Sequence, residues 1–156
     1  MPATTDTNPL VYIRSDKDTH FTGGLAQHEF ESESISFPNE VSHTNEVIIE
    51  GIAIQSDQNL EWDIYIWTGV EYDNTDLDLD KFLEYVNFAS TSGKQIGSPL
   101  ANQYYYSKTG LSIRYKDGDN TKKLHCSLVN RSATAKNAGA TGEVVVQFTV
   151  SPIYFV

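Results

Sequence analysis

Oxygen donors crowd into one short stretch of this chain. Asp73, Asp76, Asp78 and Asp80 are hard ligands of the kind calcium takes, and the run Asp76-Leu77-Asp78-Leu79-Asp80 sets three carboxylates at alternate positions. That is the spacing of the first three ligands of an EF-type calcium loop. The rest of the loop fails, because Lys81 stands where its sixth position needs glycine and Asn87 where its twelfth needs a bidentate glutamate. The stretch reads first as a solvated acidic turn or helix start, with a calcium shared at a subunit contact as the alternative.

Aromatic residues form the second group. Trp62, Tyr65, Trp67, Tyr72 and the run Tyr104-Tyr105-Tyr106 could make a flat platform on which sugar rings stack. Alternation sets Trp62 with Ile64 and Ile66, a core set, and leaves Tyr65 and Trp67 on the opposite face as candidate contacts. Consecutive tyrosines on a strand must face both ways, so at least one of the three is exposed, where tyrosine serves protein interfaces as readily as sugars.

Catalytic patterns are thin. His20, His28, His43 and His125 show no close pairing of the zinc-site kind, and neither a nucleophile elbow nor a phosphate-cradling glycine loop occurs. Paired carboxylates could cleave glycosides, but no pair stands out among 21 acids. His125 reads as an exposed or cross-strand polar residue rather than a ligand, and Cys126, on the apolar set, as a small buried hydrophobe. Asn130-Arg131-Ser132 matches a glycosylation acceptor that only a secretory route would use. The expectation is therefore a protein that is not an enzyme, with no catalytic, cofactor-binding or metal residues and no cofactor.

The elements that must position these residues are strands. Val144, Val146, Phe148 and Val150 alternate with Val145, Gln147, Thr149 and Ser151. Leu124, Cys126 and Leu128 alternate with His125 and Ser127, and Leu111, Ile113 and Tyr115 with Ser112, Arg114 and Lys116. Between the last two runs, Asp117-Gly118-Asp119-Asn120 predicts a tight hairpin, and Ser56-Asp57-Gln58-Asn59 predicts a second one leading into Trp62. The run 46–54 is apolar on both alternating sets, which suits a strand covered on two faces, and its Gly51 marks a bulge or close approach. Only 79–88 competes as helix, through Phe82, Leu83, Tyr85 and Val86, and a turn or two is expected there. The small-residue segment 132–142 reads as a long exposed loop in which Lys136 seeks acid on a neighbour. Together these predict an all-β, antiparallel two-sheet sandwich, jelly-roll-like, over residues 31–156, preceded by an extended, polar N-terminal arm at residues 1–30.

Composition excludes several classes of function. A chain of 156 residues buries enough surface to fold as one domain, and its single cysteine forms no internal bridge. The amino terminus lacks the basic and apolar regions of a secretory signal, so synthesis in a reducing cytoplasm is expected. The net charge of −10 argues against nucleic acid and anionic lipid as partners, and no apolar run is long enough to span a bilayer. That charge is unevenly spread: residues 1–93 hold eighteen acids against three bases, and residues 94–156 three acids against eight bases. Such opposite fields either steer self-association or cancel internally where strands from the two halves interleave.

Residues 123–136, the Ala/Gly-rich loop after them and residues 143–152 resemble the carboxyl-terminal β-hairpin of small virion proteins of tailed bacteriophages. The resemblance covers about the last third of the chain and matches no residue-specific motif. It implies a capsid decoration (cement) protein, on the outer capsid surface of the virion, that bridges neighbouring major capsid protein subunits and its own copies, commonly as a homotrimer. The leading alternative is a carbohydrate-binding β-sandwich, free or in a tail fibre, using exposed tyrosine and Trp67 with calcium at the acidic turn; an acid–base glycosidase is a third.

Overall fold

The computed structural model describes residues 10–41, 43–70, 80–96, 103–138 and 144–153. Its strands are β1 (Val11–Arg14), β2 (Phe30–Ser36), β3 (Glu46–Ser56), β4 (Trp62–Trp67), β5 (Phe82–Phe88), β6 (Lys94–Ile96), β7 (Gln103–Lys108), β8 (Ile113–Lys116), β9 (Lys123–Asn130) and β10 (Val144–Pro152). Among the described residues, helix is confined to 3-10 turns at Asn39–Val41 and Ser90–Ser92, and none is long and apolar enough to cross a membrane.

Two antiparallel sheets face each other. One has the order β1-β10-β3-β7-β6, with β8 also paired to β3, and the other the order β2-β9-β4-β5. The pairing is nested along the chain: β4 pairs β5, β3 pairs β7 and β8, β2 pairs β9, and β1 pairs β10. A long antiparallel ribbon wound over itself in this way is a jelly roll, so the expected sandwich is present.

Nesting also explains why both expected local hairpins are absent. β3 and β4 lie in different sheets, as do β8 and β9, so the turns at 56–59 and 117–120 carry the chain across the sandwich instead of back along one sheet. The carboxyl-terminal hairpin is corrected for the same reason, since β9 and β10 belong to opposite sheets. Period-2 patterning is identical whether a strand's partner is adjacent in sequence or a hundred residues away.

The core forms where the inner faces meet. Ile13, Phe148, Val146, Ile52, Ile54 and Tyr106 come from one sheet, and Trp62, Ile64, Ile66, Leu124, Cys126, Leu128 and Phe88 from the other, all essentially without exposure. Each large apolar side chain buried this way stabilises the fold by about 1.5–3 kcal/mol. In β3 the partner register against β10 shifts between Thr149 and Val150, so that Glu50 is the extra residue of a bulge beside Gly51. Val47 and Ile49 face inward before the bulge, and Ile52 and Ile54 after it. The run that looked apolar on both faces is one inner face whose phase changes halfway.

Two further expectations are corrected. Residues 10–30 belong to the sandwich rather than to an arm; residues 1–9 lie outside the described ones. β1 pairs β10 with Val11 and Ile13 inward, and Phe21 and Leu25 are buried, Leu25 bridging Lys136. Val11 and Ile13 show the two-residue period only over four residues, and Phe21 and Leu25 show none, so long-range pairing is what brings this segment in. The stretch around 79–88 is strand β5 from Phe82, because β4 offers it a pairing edge and its Val86 and Phe88 complete the inner face.

Candidate functional site

The residues with the most chemistry converge at one end of the four-stranded sheet. The loop after β8 turns back through Asn120 and Lys122, both at φ 57°, and drops Asp117 beneath β9. Asp117 Oδ1 accepts from the Asp119 amide at 3.0 Å and from His125 Nε2 at 3.0 Å. Its Oδ2 accepts from the Thr121 amide at 2.7 Å, the Thr121 hydroxyl at 2.8 Å and the Lys123 amide at 3.0 Å. Burial alone would raise this carboxyl's pKa, but the donors from Thr121, Lys123, His125 and Asp119 outweigh it and hold the group below its ordinary value. On the other side of the imidazole, Ser34 of β2 sits 2.7 Å from Nδ1. With Asp117 ionised and the ring neutral, Nε2–H donates to the carboxylate and Nδ1 accepts the serine hydroxyl.

Ser34, His125 and Asp117 are the residue types of a hydrolytic triad, yet the arrangement is built as a rivet. The His125 ring has no exposed surface, and its backbone N–H donates to the Tyr115 hydroxyl at 3.1 Å, which in turn donates to the Lys123 carbonyl at 2.7 Å. Burial raises the Tyr115 phenol above its usual range, so it stays a neutral donor. Edge strand β2, central strand β9 and the loop are thereby bound together. Asp117, Asp119 and His125 also offer one ligand atom each within 4.8 Å of one another. A cation there would have to displace the Nε2 proton and compete with the five donors already on Asp117, so the set is closed without one.

A more open cluster occupies the outer face of the same sheet. Tyr65 of β4 lies edge-on to Phe82 at 5.7 Å and to Tyr85 at 6.3 Å, and Trp67 meets Phe82 at 5.4 Å. Beside the rings, Arg131 Nε donates to Asp63 Oδ2 at 2.7 Å, one Nη donates to the Tyr65 hydroxyl, and the other reaches His28 Nδ1 at 3.1 Å. Asn87 donates to Asp63 at 2.7 Å and to Glu61 at 2.9 Å. Burial would lower the Arg131 pKa, but Asp63 holds it above its ordinary value, so the cation is permanent.

A third group faces inward at the edge of the sandwich. Glu31 and Glu33 stand opposite Leu128 and Cys126 in the β2–β9 register. Their carboxylates accept from the Gly23 amide at 2.9 Å and the Phe21 amide at 3.3 Å, tying the 15–29 connection to the sheet. Burial, with Glu31 as a close neighbour, pushes the Glu33 carboxyl up to about 7 against the pull of the Phe21 amide.

Several expectations shift here. His125 is cross-strand to Ser34 as expected but buried rather than exposed. Trp67 is buried too, its indole N–H donating to Ser127 at 2.8 Å, because Phe82 and Tyr65 close over it. Trp62 is core and Tyr106 is buried while Tyr105 is exposed, as alternation requires. Cys126 is fully buried, and burial raises its thiol pKa. Lys136 is buried and donates to the Gly23 carbonyl, so it does not reach for a neighbouring subunit. Asp73, Asp76, Asp78 and Tyr72 lie outside the described residues, and Asp80 is exposed. The charge split cancels in part within the subunit: Glu46 meets Arg114 at 2.9 Å and Lys116 at 3.9 Å, and Asp63 meets Arg131 at 2.7 Å. Sequence reasoning missed the Glu61, Asp63 and Arg131 group, whose only signal was the outward phase shared by Asp63, Tyr65 and Trp67.

No family model matches the chain, and no curated protein matches it. Among solved structures, the chain is similar to the giant freshwater prawn Macrobrachium rosenbergii extra small virus (XSV) virus-like particle, seen by cryo-electron microscopy. The identity is 13%, the match covers 97% of this chain and 82% of that one, and the TM-score is 0.36.

Proposed function

We propose that this chain is a non-enzymatic virion structural protein, a decoration (cement) protein that sits on the outer capsid surface and bridges major capsid subunits together with copies of itself, as a homotrimer. The observation that carries the reading is the outer face of the six-stranded sheet. Tyr12 is 53% exposed on β1 and Tyr105 40% exposed on β7, and a groove of about 550 Å³ runs from Tyr105 past Gln55 and Gln147 to Arg14. Tyrosine and arginine over a flat, ordered strand face suit a protein contact. Jelly rolls serve both viral capsids and lectins, so the topology agrees with the reading by analogy.

The joining force is the tyrosine face rather than the charge split, since Arg114, Lys116 and Arg131 have acid partners within the subunit. Light scattering of the purified chain, followed by imaging of shells incubated with it, tests this. The expected result is a trimer that coats shells, persists in molar salt and is lost with Tyr12→Ala plus Tyr105→Ala. A monomer that never associates with shells would remove the reading.

A further inference from the structure

The outer face of the four-stranded sheet carries a half-open cavity of about 400 Å³, lined by Asp63, Tyr65, Phe82, Tyr85 and Arg131. That volume lies within the range of small-molecule sites, which pair apolar walls with a few converging polar groups. Tyr85 forms the outer wall and keeps 55% of its surface exposed, while Tyr65, Phe82 and Arg131 are half-buried and Asp63, at the floor, is 5% exposed. Its ring is propped against Tyr65, which is held in turn by Phe82 and by the guanidinium 5.8 Å from its centroid. The wall is therefore a fixed surface, and a ligand stacking on it need not order it.

The polar side of the cavity has capacity to spare. Three N–H groups of Arg131 are engaged by Asp63, Tyr65 and His28, which leaves two of a guanidinium's five. Asp63 accepts one bond on each oxygen, from Asn87 and from Arg131, and each oxygen can take another. An acceptor and a donor thus lie side by side, both fixed by their mutual bond. Two adjacent hydroxyls match that pair: one donates to the carboxylate while the next accepts from the guanidinium. A six-membered sugar ring presents such hydroxyls along its edge and an apolar C–H face at right angles to them, the face that a tyrosine ring can cover. Asp63 and Glu61, joined through Asn87, outweigh the single charge of Arg131, so an acidic sugar is repelled.

We infer that this cavity is a binding site for a neutral pyranose sugar, stacked on Tyr85 and hydrogen-bonded along one edge by Asp63 and Arg131. The site is distinct from the tyrosine face on the opposite sheet, and either can hold without the other.

The full chain, applied to an array of neutral and sialylated glycans and then titrated calorimetrically with the best neutral ligand, tests the inference. Tyr85→Ala, at an exposed position, should weaken binding about tenfold, and Tyr85→Phe should retain it. Arg131→Lys, which keeps the charge but loses the fork, should weaken binding by a comparable factor, and Tyr105→Ala on the other sheet should leave it unchanged. Absence of binding to any neutral glycan, a preference for sialylated ones, or a Tyr85→Ala affinity within twofold of wild type would each overturn it.

Discussion

Replacing Asp117 by alanine should expose how much of this fold hangs on one buried carboxylate. The side chain holds five donors: the amides of Asp119, Thr121 and Lys123, the Thr121 hydroxyl and His125 Nε2. Taken singly, hydrogen bonds to a charged group are worth about 1.5–3 kcal/mol each, but they do not add here. Asp119 and Thr121 are exposed, and their donors can return to water once the carboxylate is gone. His125 cannot, because its ring is fully buried, so its N–H is left without an acceptor. An orphaned buried donor costs about 1–3 kcal/mol, and losing the charge-assisted bonds from Thr121, Lys123 and Asp119, partly recovered by water, adds about 2 kcal/mol. Asp117→Ala is therefore expected to lower stability by about 3–5 kcal/mol, which is roughly 10–15 °C in Tm for a domain of this size. Asp117→Asn keeps one acceptor oxygen and the volume, and should cost about 1–3 kcal/mol. Urea unfolding followed by tryptophan fluorescence would measure both. The carboxyl's pKa is lowered in the folded state, so its contribution is complete above the ordinary carboxylate range and is lost as pH falls through the folded value. Both variants should flatten that acid limb. An alanine variant within about 1 kcal/mol of wild type, or one with an unchanged acid limb, would refute the rivet reasoning.

Glu33 should act with the opposite sign: its folded pKa, pushed up to about 7, exceeds the unfolded value, so the stability it contributes is full below the ordinary glutamate range and lost as pH rises through about 7. Allowing for solvent screening of a half-exposed group, wild type should lose about 1 kcal/mol between mildly acid and mildly alkaline urea titrations and Glu33→Gln should not; equal slopes would disprove the assignment. Gly118→Ala would place a methyl carbon 2.8 Å from the Thr68 carbonyl oxygen, to which the Gly118 amide also donates at 2.8 Å. A loss of about 1–3 kcal/mol in the same assay is expected from that overlap, and a neutral result would mean that the loop moves freely away from β4.

What could be read in advance was whatever local periodicity encodes. The inward sets of β9 and β10, the burial of Trp62 and Cys126, and the division of Tyr105 from Tyr106 all follow from the alternation of a strand, which needs no knowledge of its partner. The bulge at Gly51 was legible as a position, though its consequence was not: a one-residue insertion reverses which residues face inward, and only the register against β10 reveals it.

The site depended on information the local pattern does not contain. His125 and Ser127 read as outward-facing and polar, and they are, but loops and rings from elsewhere close over that face and bury them. Ser34, Asp117 and His125 meet only because β2 lies beside β9 and the 117–122 loop folds under both. Asp63 finds Arg131 because β4 begins beside the exit of β9, nearly seventy residues along the chain. By itself, then, the sequence determined that the chain makes half-buried strands and, in the regular ones such as β9 and β10, which side chains turn inward. Tertiary structure decided which strands pair, which outward faces become covered and which charges meet. Facing direction is a property of one backbone with a two-residue repeat, whereas pairing in a nested ribbon is a competition among all the strands at once.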